Sequence, residues 1–278
     1  MSAAADPRER RGIIVYLALA VVLVTAAYVP ILSSQSMRAL GGLAVPLLMW
    51  APGISGIAAS LIVFRSLRPL GFGLSRRAVP WLLLCLLLPV GYTLLIDLPL
   101  AAAGVLRLGP PHLTLYFLGY GFLRSMLVAV GEEIGWRGFL TPLMVRRFGF
   151  TRGSLLVGLV WAAYHMPAIL FAGYQPGANP VSGIVCFTVT VVGLSTVLAA
   201  ARLGSGSLWP AAVLHASHNL IFLHVFDPVE RTSPAAGWLM GELGVLLAVV
   251  NLGLAAAALA WARRRSDASD DDAALSRR

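Results

Sequence analysis

The stretch Val130–Gly138, which reads VGEEIGWRG, places two carboxylates and an arginine directly after an apolar run. A charge at the centre of a membrane-spanning helix costs about 2.5–3.5 kcal/mol, so such groups persist where they pair, face the bundle interior or form a site. On a helix, Glu133 and Arg137 are four residues apart and can form an ion pair. Glu132 points about 100° away and has no such local partner. We therefore predict that Glu133 and Arg137 brace the helix, and that Glu132 faces a cavity as a general base for water.

Two later apolar segments contain histidines. His165 follows Trp161 by one helical turn, although a single mid-helix histidine is commonly a core residue. His215 and Asn219 are four residues apart and share a helix face. Their side chains can donate two hydrogen bonds to one oxyanion, or form a polar contact between helices. His218 either shares this face or supports it from behind, and the sequence leaves its role open.

The composition places these residues in a membrane protein. Of 278 residues, 58% are hydrophobic and 12% are charged, whereas a soluble domain has about 25% charged residues. We predict an all-α, polytopic transmembrane helix bundle that forms one domain over residues 1–262, with a disordered cytoplasmic tail over 263–278. Cys85 and Cys186 lie in apolar segments and are interpreted as buried small hydrophobes, not as disulfide or metal ligands.

Eight apolar segments approach or exceed the roughly 20 residues that a spanning helix needs. The fourth segment is too long for one simple span, and its Gly131, Gly135, Gly138 and Pro142 predict a break or bend near its end. The predicted segments are 13–32, 40–64, 79–105, 113–145, 153–172, 181–202, 208–226 and 237–262.

The distribution of arginine predicts the orientation of the bundle. The net charge is +9, and all 21 basic residues are arginine. With a cytoplasmic N-terminus, the inner segments contain sixteen arginines and the outer loops contain three. The positive-inside rule therefore favours two cytoplasmic termini, as an even number of spans requires. The charge is explained by membrane topology, so no nucleic-acid partner is expected.

Helix direction then predicts where the polar groups meet. Glu132 lies in the cytoplasmic half of segment four. His165 lies about 18 Å, and His215 about 10 Å, from the inner ends of their segments. We expect one cavity, open to the cytoplasm, that is lined by a carboxylate, two imidazoles and the amide of Asn219. Such a set of side chains is typical of a hydrolytic site.

The order Glu-Glu-x-x-x-Arg, aromatic-x-x-x-His and His-x-x-x-Asn resembles the CAAX protease and bacteriocin-processing family of intramembrane endopeptidases, whose type is the prenyl-protein endopeptidase of CAAX tails. The resemblance covers a catalytic core of about 113–225. It implies that Glu132 and His165 activate the attacking water. It also implies that His215 and Asn219 stabilise the oxyanion.

The same resemblance assigns supporting roles and a partner class. Glu133 and Arg137 would hold the first motif in place, and Trp161 stands where the family usually has phenylalanine. The implied partners are a protein or peptide substrate and the lipid bilayer, in the plasma membrane. No cofactor is expected, although one glutamate and two histidines could bind zinc. A His-Glu-x-x-His helix, the common zinc-protease signature, is absent from the sequence.

Other classes remain as alternatives. The stretch Gly53–Gly56 contains Ser55 in a Gly-x-Ser-Gly pattern that a rhomboid-type serine protease could use, although helix packing by small residues is the favoured interpretation. Intramembrane glutamate, histidine and arginine also occur in proton-coupled transporters. A non-catalytic immunity or scaffold protein would keep its function without Glu132 or His165.

Overall fold

A computed structural model describes residues 6–110, 113–174, 180–222 and 229–275. The protein is an all-α polytopic helix bundle, as predicted, with one short antiparallel strand pair in which Leu106 lies opposite Arg231. In chain order the elements are α1 (Pro7–Ser34), α2 (Ala44–Phe64), α3 (Ala78–Ala102), β1 (Leu106–Leu108), α4 (Leu115–Glu133), a π-helix (Ile134–Leu140), α5 (Thr141–Phe171), α6 (Pro180–Ser205), α7 (Trp209–Leu220), β2 (Val229–Arg231), α8 (Ala236–Leu239) and α9 (Val245–Leu275).

Local signals explain where two of these helices begin. The Asp6 carboxylate accepts a hydrogen bond from the Arg8 backbone N–H at 2.9 Å, and Pro7 occupies the first turn of α1. Thr114 caps α4 in the same manner, by accepting from the Phe117 N–H at 3.1 Å. The apolar residues that follow each cap are numerous enough to cross a membrane.

Six helical stretches in the described part of the chain are long and apolar enough to span a membrane. One of them, Leu115–Phe171, has 57 residues, about twice the length that one tilted span needs. Gly149 interrupts it with φ 77° and ψ 165°. A Cβ at Gly153 would lie 2.7 Å from the backbone N of Val145, so the chain reverses sharply there. The stretch is therefore a helical hairpin, and its two arms face each other.

The connections collect at two ends of the bundle. At one end, Glu9 forms an ion pair with Arg146, and Trp261 packs against both Trp81 and Phe150. This is the arginine end, comprising the start of α1, residues 65–77, 146–152 and 202–208, and the part of α9 after Trp261. The opposite end comprises the α1–α2 turn, the strand pair, the start of α4, residues 172–174 after α5, and residues 232–244 before α9.

Two predicted segments differ from the structure. Helix α7 has 12 residues, or about 18 Å, which is too short to cross a hydrocarbon core of about 30 Å. Residues 223–226 of predicted segment seven lie outside the described residues. Helix α9 continues to Leu275, whereas we expected a disordered tail from residue 263.

Glycines allow α2 to approach α4 and the π-helix closely. A Cβ at Gly53 would overlap the Gly131 carbonyl oxygen, and a Cβ at Gly135 would overlap the Pro52 carbonyl oxygen. Ser55 is buried, and its Oγ donates to the Ala51 carbonyl at 2.8 Å. The Gly-x-Ser-Gly pattern therefore packs helices, and Ser55 does not line the cavity described below.

Candidate active site

The two adjacent glutamates end α4, and the π-helix begins directly after them. The Thr141 N–H donates to the Trp136 carbonyl, five residues earlier, as the wider π turn requires. Such π segments often occur at functional sites. The predicted break in segment four is therefore present, and it takes the form of a π-helix.

Glu132 is 1% exposed and is held by two indoles. Its Oε2 accepts a hydrogen bond from Trp161 Nε1 at 2.6 Å and another from Trp136 Nε1 at 3.3 Å. Among the described residues, none donates a hydrogen bond to Oε1. The indoles therefore orient the carboxylate and leave one oxygen for another partner.

His165 lies one turn beyond Trp161 and lines the same cavity as Glu132. Its Nδ1 lies 2.9 Å from the Trp161 carbonyl oxygen. Because a carbonyl only accepts hydrogen bonds, Nδ1 carries the proton, and Nε2 of the neutral ring keeps its lone pair. His165 is therefore in the tautomer that a general base requires.

Glu133 connects Arg137 and His215. Its Oε1 accepts from Arg137 Nη1 at 2.9 Å, and His215 Nδ1 lies 2.9 Å from the same oxygen. Glu133 and Arg137 are both fully buried, and Arg137 Cζ lies 4.0 Å from the Trp161 ring centroid. The predicted ion pair is present. The contact between Glu133 and His215 was not anticipated, because it joins helices that the sequence separates by 82 residues.

His218 forms its hydrogen bonds in a second buried network, and not with the candidate catalytic residues. The Tyr92 hydroxyl lies 2.5 Å from His218 Nδ1, and His218 Nε2 lies 3.3 Å from Glu242 Oε1. Tyr174 donates to the other oxygen of Glu242 at 2.7 Å. A neutral ring that accepts from Tyr92 and donates to Glu242 has both nitrogens occupied. His218 therefore joins α7 to α3 and to the start of α9.

The sequence pattern did not indicate a role for Glu242. The side chain is buried. Burial acts to raise the pKa of this carboxyl, but the hydrogen bonds from His218 and Tyr174 outweigh it and lower the pKa. Trp136 was also missed, although its i+4 spacing from Glu132 could have indicated it.

These side chains adjoin a cavity of about 1020 Å³. Glu132, Trp161, His165, His215 and Asn219 all line it, so the structure brings the predicted residues together. Glu133 and Arg137 do not line the cavity and lie behind it. The cavity reaches the opposite end, where its lining includes residues before α2, at the start of α4, after α5 and before α9: Met37, Arg38, Tyr116, Tyr174 and Glu242.

The end that the cavity reaches differs from the expected one, while the side of the membrane that it faces stays a prediction. We predicted that the cavity opens toward the arginine-rich, cytoplasmic side. No described residue of the segments 65–77, 146–152 or 202–208 lines it. The prediction assumed that every segment crosses the membrane at full length, whereas α7 has only 12 residues.

A metal site would need several ligating side chains close together. In the described parts of the chain, no group of three or more histidine, cysteine, aspartate or glutamate side chains is arranged to hold a metal ion. Of the two Glu132 oxygens, Oε2 is occupied by two indoles and Oε1 is the one left for a ligand. We therefore derive no chemical step through zinc.

The fold and the site define a multi-pass helical membrane protein with a Glu-His-His-Asn constellation around one cavity, in which Glu132 and His215 are buried and His165 and Asn219 are half-buried. Residues 114–221 match the family model described as type II CAAX prenyl endopeptidase Rce1-like. The chain thus resembles this family over the segment that contains all three motifs, and the resemblance predicted from those motifs is confirmed there. The match includes the Glu132, His165, His215 and Asn219 positions.

A curated relative supports the same resemblance over a shorter stretch. The chain is 36% identical over 44 residues to "CAAX prenyl protease 2" of Methanococcus maripaludis. This stretch is 16% of the chain and 16% of that relative. The similarity therefore concerns a small part of each protein.

Proposed function

We propose that the protein is an intramembrane endopeptidase that hydrolyses a peptide bond of a membrane-associated protein or peptide. The observation that carries the proposal is the indole-held carboxylate of Glu132 in a cavity that it shares with His165, His215 and Asn219. The match to the endopeptidase family over 114–221 supports the same class of reaction. The name of the Methanococcus maripaludis relative also describes a protease.

In the proposed first step, a water molecule lies between Glu132 Oε1 and His165 Nε2. One of these two groups takes a proton as the water oxygen attacks the carbonyl carbon of the substrate. The two indole N–H groups hold Glu132 in one orientation, which lowers the cost of aligning base and water. The same proton is later transferred to the leaving amine, so the enzyme returns to its initial protonation state.

His215 and Asn219 stabilise the negative oxygen that forms on the substrate. Hydrogen bonds to a developing oxyanion in a dry site contribute more than they do in water. Glu133 accepts from His215 Nδ1, which favours the imidazolium form and directs Nε2–H toward the oxyanion. Glu133 is therefore proposed as a positioning residue, in addition to its ion pair with Arg137.

The proposed mechanism uses no metal. Its partners are a peptide substrate and the lipid bilayer, and the proposed location is the plasma membrane. Zinc-dependent hydrolysis is the alternative that retains the same reaction.

The test compares wild type with Glu132→Gln in native membranes and reads out which peptide termini disappear. The matched control is Glu9→Gln, which makes the same chemical change at the arginine end, far from the cavity. We expect cleavage by wild type and by Glu9→Gln, and a loss of at least a hundredfold in Glu132→Gln. Equal termini in all three samples, with proton or solute flux that depends on Glu132, would indicate a transporter instead.

A further inference from the structure

The cavity and the arginine-rich loops lie at opposite ends of the bundle. The cavity runs from Glu132 to the end formed by the α1–α2 turn and the start of α4. The arginine end contains the start of α1, the α2–α3 connection, the α4–α5 hairpin turn and the described end of α9. No described residue from the arginine-end connections lines the cavity.

The distribution of arginine indicates which end of the bundle faces the cytoplasm. Of the arginines in the described part of the chain, fourteen lie at the arginine end, while Arg38, Arg107 and Arg231 lie at the other. The positive-inside rule applies most strongly to short loops beside spanning helices. The connection between α2 and α3 has 13 residues, 65–77, and contains four arginines. The arginine end is therefore expected to stay in the cytoplasm during insertion.

From these two observations we infer that the cavity opens toward the extracytoplasmic side of the membrane. A substrate would then reach Glu132 from the outer face, and not from the cytoplasm. This inference concerns the orientation of the protein, and only its statement about substrate rests on the proposed function. The corresponding substrate class is a peptide segment that is secreted or presented at the outer leaflet.

The side chains that line the cavity at that end further indicate the class of substrate. Tyr116 and Tyr120 stack with ring centroids 5.5 Å apart, and both line the cavity. Arg38 and Arg124 also line it, and neither forms an ion pair with a described residue. Arg124 is the tenth residue of α4, about 14 Å along the helix from Leu115, where an unpaired charge is costly. An apolar peptide that carries a carboxylate is complementary to these tyrosines and arginines of the cavity lining.

Cysteine labelling tests the orientation without any need for activity. Cys85 and Cys186 are replaced by alanine, and single cysteines are introduced as Ser34→Cys at the cavity end or Ser75→Cys at the arginine end; both positions are exposed. We expect a membrane-impermeant maleimide to label Ser34→Cys in intact cells, and to label Ser75→Cys only after permeabilisation. The reverse pattern, or equal labelling of both in intact cells, overturns the inference.

A second pair of cysteine positions repeats the labelling test in case one of the first variants folds poorly. Gly237→Cys at the cavity end and Gly73→Cys at the arginine end place the new side chain where no atom lies within 4 Å of its Cβ. The same labelling pattern is expected for this pair. A reversal in either well-expressed pair counts against the inference.

Cleavage then tests the substrate side separately. An impermeant, apolar reporter peptide with one carboxylate is added to right-side-out or inside-out vesicles, each compared with Glu132→Gln. We expect cleavage only in right-side-out vesicles, and a roughly tenfold higher KM in Arg124→Gln that disappears with an amidated, neutral reporter. Cleavage only in inside-out vesicles contradicts the inference. No cleavage from either side, with labelling as expected, rejects the proposed function and leaves the orientation intact.

Discussion

Trp161 and Glu132 join the two arms of a helical hairpin. The indole Nε1 of Trp161 in α5 donates to Oε2 of Glu132 in α4 at 2.6 Å. The two residues are 29 positions apart, and the chain reversal at Gly149 brings them together. The same indole ring lies under the Arg137 guanidinium. One aromatic side chain therefore orients the candidate base and also contacts the ion pair behind it.

Trp161→Phe should reduce proteolysis while the protein remains folded. The ring volume is largely kept, but Glu132 loses its shorter hydrogen bond. A hydrogen bond to a charged group contributes about 1.5–3 kcal/mol, so we expect kcat to fall by about tenfold to a hundredfold. Trp136→Phe is the matched control and should have a smaller effect, because its bond to Glu132 is 3.3 Å long. Equal activity of Trp161→Phe and wild type would contradict the orienting role.

The effects of Glu133→Gln and His215→Ala on catalysis should not be additive, because both residues are proposed to stabilise the same oxyanion. Without the Glu133 carboxylate, the His215 imidazolium loses its partner and the oxyanion loses stabilisation. We expect each single variant to lower kcat/KM strongly, and the double variant to be little worse than His215→Ala. Steady-state kinetics of the four proteins measure this coupling. Additive losses would show that Glu133 acts only as a structural ion-pair partner.

Arg137→Leu should destabilise the protein by about 3–5 kcal/mol, because it leaves the buried carboxylate of Glu133 without its cation. The double variant Glu133→Gln/Arg137→Leu removes both charges and should recover part of that loss. Thermal unfolding in detergent measures the difference. An Arg137→Leu protein as stable as wild type would mean that the pair contributes little to the fold.

Gly53→Val should weaken the contact between α2 and α4, because a side chain there overlaps the Gly131 carbonyl oxygen. The matched control is Gly91→Val, which places the same side chain in open space on α3. We expect a clear loss of expression or thermal stability for Gly53→Val alone. Similar behaviour of the two variants would rule out a close glycine contact.

Ser55→Ala should leave proteolysis unchanged. The Ser55 hydroxyl is buried and donates to the Ala51 carbonyl within its own helix. A serine nucleophile would instead have to reach a substrate. Loss of all cleavage in Ser55→Ala, with Glu132→Gln still active, would favour a serine protease. Labelling with a fluorophosphonate probe, which reacts with activated serines, tests independently whether Ser55 is a nucleophile.

Several features of this protein could be predicted from residue types and spacing. Apolar runs of about 20 residues predict spanning helices because an unsatisfied backbone is too costly in lipid. The i+4 spacing of Glu133 and Arg137 predicts their ion pair, since helix geometry alone brings those positions together. The glycines of the fourth segment indicate a break, although they do not distinguish a π-helix from a kink.

Other features depend on contacts between distant segments, which local periodicity does not contain. The bond between His215 and Glu133 requires α7 to pack beside the end of α4, and the burial of Glu242 requires its loop to fold against His218 and Tyr174. The direction of the cavity likewise depends on helix lengths and tilts. A prediction from apolar segments treats these as equal for every helix. The sequence thus determined the helices, the ion pair and the set of candidate groups. Tertiary packing decided which groups share hydrogen bonds and which end of the bundle the cavity reaches, because both depend on how the helices are stacked in space.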